Sequence, residues 1–84
     1  MSISKQDILG KICYTELVYA RINKKLNINY SKAQIEDLIL RILKDTDEIH
    51  YARIGKNIYV SNRKDNIRIT INSNTLRIIT VDKI

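Results

Sequence analysis

Residues Asn66–Val81, NIRITINSNTLRIITV, decide the fold. Ile67, Ile69 and Ile71 alternate with Arg68, Thr70 and Asn72. A period of two is the mark of a half-buried strand. Asn72-Ser73-Asn74-Thr75 supplies turn chemistry, because Asn tolerates the positive φ of tight hairpins. A second β-rich run, Leu76 to Val81, follows. With Ser73-Asn74 as the loop, Ile71 faces Leu76, Ile69 faces Ile78 and Ile67 faces Thr80. That register gathers the isoleucines on one face and leaves Arg68, Thr70, Arg77, Ile79 and Val81 on the other.

Moving upstream, IHYARI (49–54) and NIYVS (57–61) flank Gly55-Lys56, a second tight hairpin signal. Ala52 then faces Tyr59 and His50 faces Ser61, while Ile58 and Val60 point to the core beside Ile49 and Tyr51. SNRKDN (61–66) is a longer polar turn. Before Asp45-Thr46-Asp47 the period changes to that of a helix. Ser31-Lys32-Ala33-Gln34 matches a capping box. Lys32 to Lys44 follows, with Ile35, Leu38, Ile39 and Ile42 on the core face and Leu43 at its edge. Asn27 to Tyr30 is a short connection. Ser4 to Leu26 is helical, with Ser4 as N-cap and Asp7 in the first turn. Its stripe shifts phase near Cys13-Tyr14-Thr15. One long helix competes with two, and a break with Thr15 as second N-cap is favoured. Leu17, Val18, Ile22 and Leu26 form the later stripe.

The expected fold is α+β: two or three N-terminal helices on one face of a four-stranded antiparallel meander. Residues 1–84 make one domain, 1–46 helical and 47–84 sheet. At 84 residues, such a domain buries roughly 60–65% of its unfolded surface, enough for one core.

Fifteen Lys and Arg against nine Asp and Glu give a net charge of +6. A basic balance favours polyanionic partners, nucleic acid first. Split after Thr46, each half carries the same excess, so a binding face has to be made by folding. The single cysteine, Cys13, forms no intramolecular disulfide and reads as a buried core thiol. One Cys and one His leave no zinc motif, and two glycines no phosphate-binding loop. No metal or cofactor is expected. No apolar run reaches the ~20 residues of a membrane span, and the N-terminal stretch does not read as a signal peptide. A cytoplasmic setting is expected.

The outer sheet face is the one candidate site: His50, Tyr59, Arg68, Thr70 and Arg77. Arg77 opposes Thr70 and Arg68 opposes Ile79, which makes the arginines diagonal neighbours about 7–8 Å apart. Arg binds phosphate, Tyr stacks on a base, and His moves protons near neutrality, a set suited to RNA. Such a face is also what plain solvation produces. Ile54, Ile79 and Val81 on that face would suit a protein partner or a homodimer better than RNA. Arg21, Lys24, Lys25 and Lys32 would serve a winged helix on DNA.

ICYTELVYARINKKL and GKNIYVSNRKDNIRITINSNTLRIITVDKI resemble a family of small bacterial proteins catalogued only as a domain of unknown function. The resemblance spans nearly the whole chain and implies a stand-alone domain, with no activity attached. The element order is also similar in topology to the barnase/colicin/RelE-type ribonuclease toxins. That likeness implies catalysis on the open sheet face, and ribonuclease is the one enzyme class it suggests. No motif maps residue by residue.

Overall fold

Three helices precede four strands in a computed structural model that describes residues 4–84. They are α1 (Lys5–Lys11), α2 (Glu16–Leu26), α3 (Lys32–Asp45), β1 (Tyr51–Ile54), β2 (Asn57–Asn62), β3 (Ile67–Asn72) and β4 (Ile78–Lys83). A 3-10 turn, Glu48–His50, leads into β1. The strands form one antiparallel sheet in the order β1-β2-β3-β4.

The helix ends follow the capping chemistry. Ser4 Oγ accepts the Asp7 amide at 3.3 Å. Ser31 Oγ accepts from the Gln34 amide at 3.2 Å, and Gln34 Oε1 from the Ser31 amide at 2.8 Å. Asn27 ends α2 in the left-handed region at φ 55. The break between α1 and α2 has a tertiary cause. Cys13 is drawn to the sheet, where its amide donates to Leu76 O (3.1 Å) and its carbonyl accepts from Ile78 N (2.9 Å). This short bridge lies beside β4 and leaves the thiol exposed, not buried as expected. Leu17 also departs from expectation, at 77% exposed. With α2 starting at Glu16, the buried row is Val18, Ile22 and Leu26, spaced by four, and Leu17 lies off it. On α3, Leu43 is fully buried and Leu38 only partly, the reverse of the expected order.

Gly55 turns the first hairpin at φ 62. Ile54 pairs with Asn57, and Ala52 with Tyr59, as the spacing predicts. Ile49 does not join the core: it is 83% exposed. The chain there is a 3-10 turn closed by His50 N to Asp47 O at 2.9 Å, so the alternation of a strand does not apply.

The β3–β4 register differs from the expected one. Ile71 faces Ile78, Ile69 faces Val81 and Arg68 faces Asp82, with an irregularity at Thr70/Ile71. Asn72 Oδ1 accepts from the amides of Asn74 (2.8 Å) and Thr75 (2.9 Å), and the Leu76 amide donates to Asn72 O at 2.9 Å. These bonds hold a wider loop than two residues, with Leu76 at φ 57. The bulge resets the alternation, so Val81 turns inward and is fully buried.

The core lies between the helices and the inner sheet face, where Ile58, Val60, Ile69, Ile71, Ile78 and Val81 meet Val18, Ile22, Ile35 and Ile39. Two polar links seal one end. Tyr51 OH donates to Leu43 O at 2.7 Å. Thr46 Oγ1 donates to Ile42 O (2.7 Å) and accepts from Asn62 Nδ2 (2.8 Å). Burial, with the Glu48 charge adding to it, pushes the Tyr51 hydroxyl up to about 12. Between an ordinary tyrosine's pKa of about 10 and that value, the folded state holds a proton that the unfolded chain has lost. Stability should therefore fall as pH rises from about 10 to 12. Denaturant melts of Tyr51→Phe across that range should show a shallower fall than the parent.

Candidate nucleic-acid interface

The outer sheet face follows from the register. Ala52, Tyr59, Thr70 and Thr80 share one row across all four strands, and Ser61, Arg68 and Asp82 share the next. Ala52, Ile54, Tyr59, Ser61 and Arg68 line a shallow hollow of about 340 Å³. Arg68 Nε donates to Ser61 Oγ at 3.3 Å, which steers the guanidinium along the row. Asn57 Nδ2 donates to Tyr59 OH at 3.4 Å, and the ring is left partly exposed over the hollow.

The five sequence-derived residues do not form one cluster. Tyr59 and Arg68 line the hollow together. Thr70 pairs with Tyr59 in the row but is 6% exposed, so it forms floor and not a contact surface. Arg77 does not oppose Thr70. Its carbonyl accepts from Asn72 N at 2.9 Å, which sets it level with Asn72. That is four residues along the sheet from Arg68, about 13 Å at the usual strand rise. Arg68 in turn faces Asp82, not Ile79. The arginines therefore flank Tyr59 from opposite ends instead of meeting diagonally. Val81 leaves the face altogether, as described above.

His50 sits beyond the row, exposed at the end of the 3-10 turn. It lines a second hollow of about 210 Å³ with Asp45, Asp47, Ser61, Arg63 and Lys64 among others. Ser61 lines both hollows. The sequence reading missed Arg63 and Lys64. Two adjacent cations in the turn after a strand were the available signal. They extend the basic line from Arg77 past Tyr59 and Arg68 to the far end of β2.

Charge separates with the fold. Residues 51–83 hold seven Lys and Arg but two Asp and Glu, whereas residues 1–50 hold eight and seven. The even split after Thr46 hid this, because Asp47 and Glu48 lie before β1 and belong with the helices. Both sheet carboxylates are matched from the helical side: Asp82 by Lys25 at 3.1 Å and Asp65 by Arg41 at 3.2 Å. Other helical cations are engaged as well. Lys32 meets Glu16 at 2.6 Å, and Arg21 Nη1 donates to Ile79 O at 3.1 Å. Exposed pairs of this kind add little stability, but they cancel charge locally. Among the described residues, no ion pair involves Arg53, Lys56, Arg63, Lys64, Arg68 or Arg77. Among the described residues, Lys5, Lys11, Lys24 and Lys44 of the helical part are in no ion pair either, but seven acidic residues offset the eight cations of residues 1–50, so the net excess is carried by the sheet and its turns.

Among the described residues, no group of three or more His, Cys, Asp or Glu side chains is placed to hold a metal ion. No described helix is long and apolar enough to cross a membrane.

A family model described as a protein of unknown function (DUF3781) matches residues 6–82. No curated protein and no solved structure matches the chain. The match covers nearly the whole chain, and the protein belongs to the DUF3781 family.

Proposed function

We propose that this DUF3781 protein binds single-stranded nucleic acid, RNA by preference, on its outer sheet face, and works in the cytoplasm. The observation that carries this reading is the line of unpaired cations on either side of a partly exposed tyrosine. Arg77 stands at one end, Arg68 beside the hollow, and Arg63 and Lys64 at the other end. A basic track with an aromatic platform is the standard arrangement for unpaired strands: cations follow the phosphates while a base stacks on the ring. Six residues of β2 span about 20 Å, room for several nucleotides.

Fluorescence anisotropy with a labelled single-stranded RNA tests this. Binding should weaken steeply with salt, and Arg68→Ala should lower the log–log slope by about 0.7. Tyr59→Ala should cost about 1–3 kcal/mol. Lys32→Ala removes a cation already paired with Glu16 and should leave the slope unchanged. Absence of binding even at low salt removes the proposal. Cleavage of the bound RNA that His50→Ala abolishes without weakening binding would replace it with the ribonuclease reading, since a general acid or base contributes about 10²–10⁴-fold.

A further inference from the structure

The two edges of the sheet are treated differently. The β4 edge is occupied by the Cys13 bridge and by α2, which packs along that strand. Among the described residues, the β1 edge is bare. β1 pairs only with β2, and Ala52, Arg53 and Ile54 are all exposed. Ile54 is 66% exposed, and Ile49 stands just before the strand in the same condition. A bare edge flanked by isoleucines is a template for another strand.

We infer that β1 is a homodimerisation edge, at which two copies pair antiparallel about a two-fold axis through Ala52. The backbone selects this register. The two-residue loop closes on the bonded pair Ile54–Asn57, so Ala52–Tyr59 is the next bonded pair and Arg53–Ile58 is not. Arg53 N–H and C=O and Tyr51 C=O therefore point to the open edge. The Tyr51 amide is already taken by Glu48 O. Keeping each sheet face continuous forbids slips of one residue. Pairing Tyr51 with its own copy would need the amide that Glu48 holds. Pairing Arg53 with its own copy would set like charges directly opposite. Pairing Ala52 with Ala52 sets no like charges opposite and keeps one bond of each Arg53–Tyr51 pair, while the Tyr51 amide stays with Glu48 O. Each Arg53 N–H then donates to the other copy's Tyr51 carbonyl, and the Glu48 turn of one copy stands level with Lys56 of the other. Both outer faces join into one eight-stranded surface. Pairing at this edge needs no bound RNA.

Sedimentation without nucleic acid should give twice the chain mass. Arg53→Pro removes the outward amide together with the side-chain charge, and edge strands accept proline at such a position. It should give a folded monomer by circular dichroism, and Ile54→Lys should shift the equilibrium the same way. Ala52 pairs across the axis at a non-bonded site, where Cα atoms approach to about 4.5 Å, within disulfide range. In a Cys13→Ser background, Ala52→Cys should therefore oxidise to a covalent dimer, at least tenfold faster than the exposed control Asn74→Cys. A monomer at high concentration, or equal oxidation at both positions, overturns the inference.

Discussion

Ile69→Asp should abolish cooperative folding. Ile69 is fully buried at the centre of the sheet, between Val60 on β2 and Val81 on β4, beneath the helices. Losing the side chain costs about 2–5 kcal/mol in cavity and transfer terms. A carboxylate in its place adds several more, because no cation lies among the core residues to pair with it. The total rivals the whole stability of an 84-residue domain, about 4–13 kcal/mol. Circular dichroism and tyrosine fluorescence should show no melting transition. Ile69→Val, by contrast, should cost only about 0.5–1.5 kcal/mol. A normal melt for Ile69→Asp would place this residue on the solvent face and overturn the inner-face assignment.

Asn62→Ala should be the most damaging polar substitution. Asn62 is buried, and both ends of its amide are used. Nδ2 donates to Thr46 Oγ1 at 2.8 Å, and Oδ1 accepts from the Asp65 amide at 2.8 Å. Thr46 Oγ1 in turn donates to Ile42 O. The chain of bonds therefore ties the end of α3 to the end of β2 and to the turn carrying Arg63 and Lys64. Truncating Asn62 leaves the Asp65 amide and the Thr46 hydroxyl without these partners. The expected loss is about 2–4 kcal/mol, or a fall in Tm of about 10–25 °C for a domain of this size. A double-mutant cycle with Thr46→Val should return a coupling of about 0.5–3 kcal/mol. Additive effects would mean that the two side chains act separately.

Local chemistry made much of the molecule legible. Alternation along Ile67–Asn72, the Gly55-Lys56 turn and the Ser31–Gln34 box each act over a few residues, and each stands as read. From them followed the α+β order, the first hairpin register and the pairing of Ala52 with Tyr59. Composition set the net charge, and strand alternation placed Tyr59 and Arg68 on the outer face. The second hairpin was not legible, because Asn72 is suited to a tight turn and also to a wider loop held by its own side chain. Only the folded chain, with Cys13 bonded beside Leu76 and Ile78, decided between them. That choice moved Val81 into the core and separated Arg77 from Arg68. The place of Cys13, the exposure of Ile49 and Leu17, and the gathering of net positive charge on one face by folding are tertiary in the same sense. Each depends on which distant backbone or side chain arrives as a partner, and spacing along the chain carries no record of that.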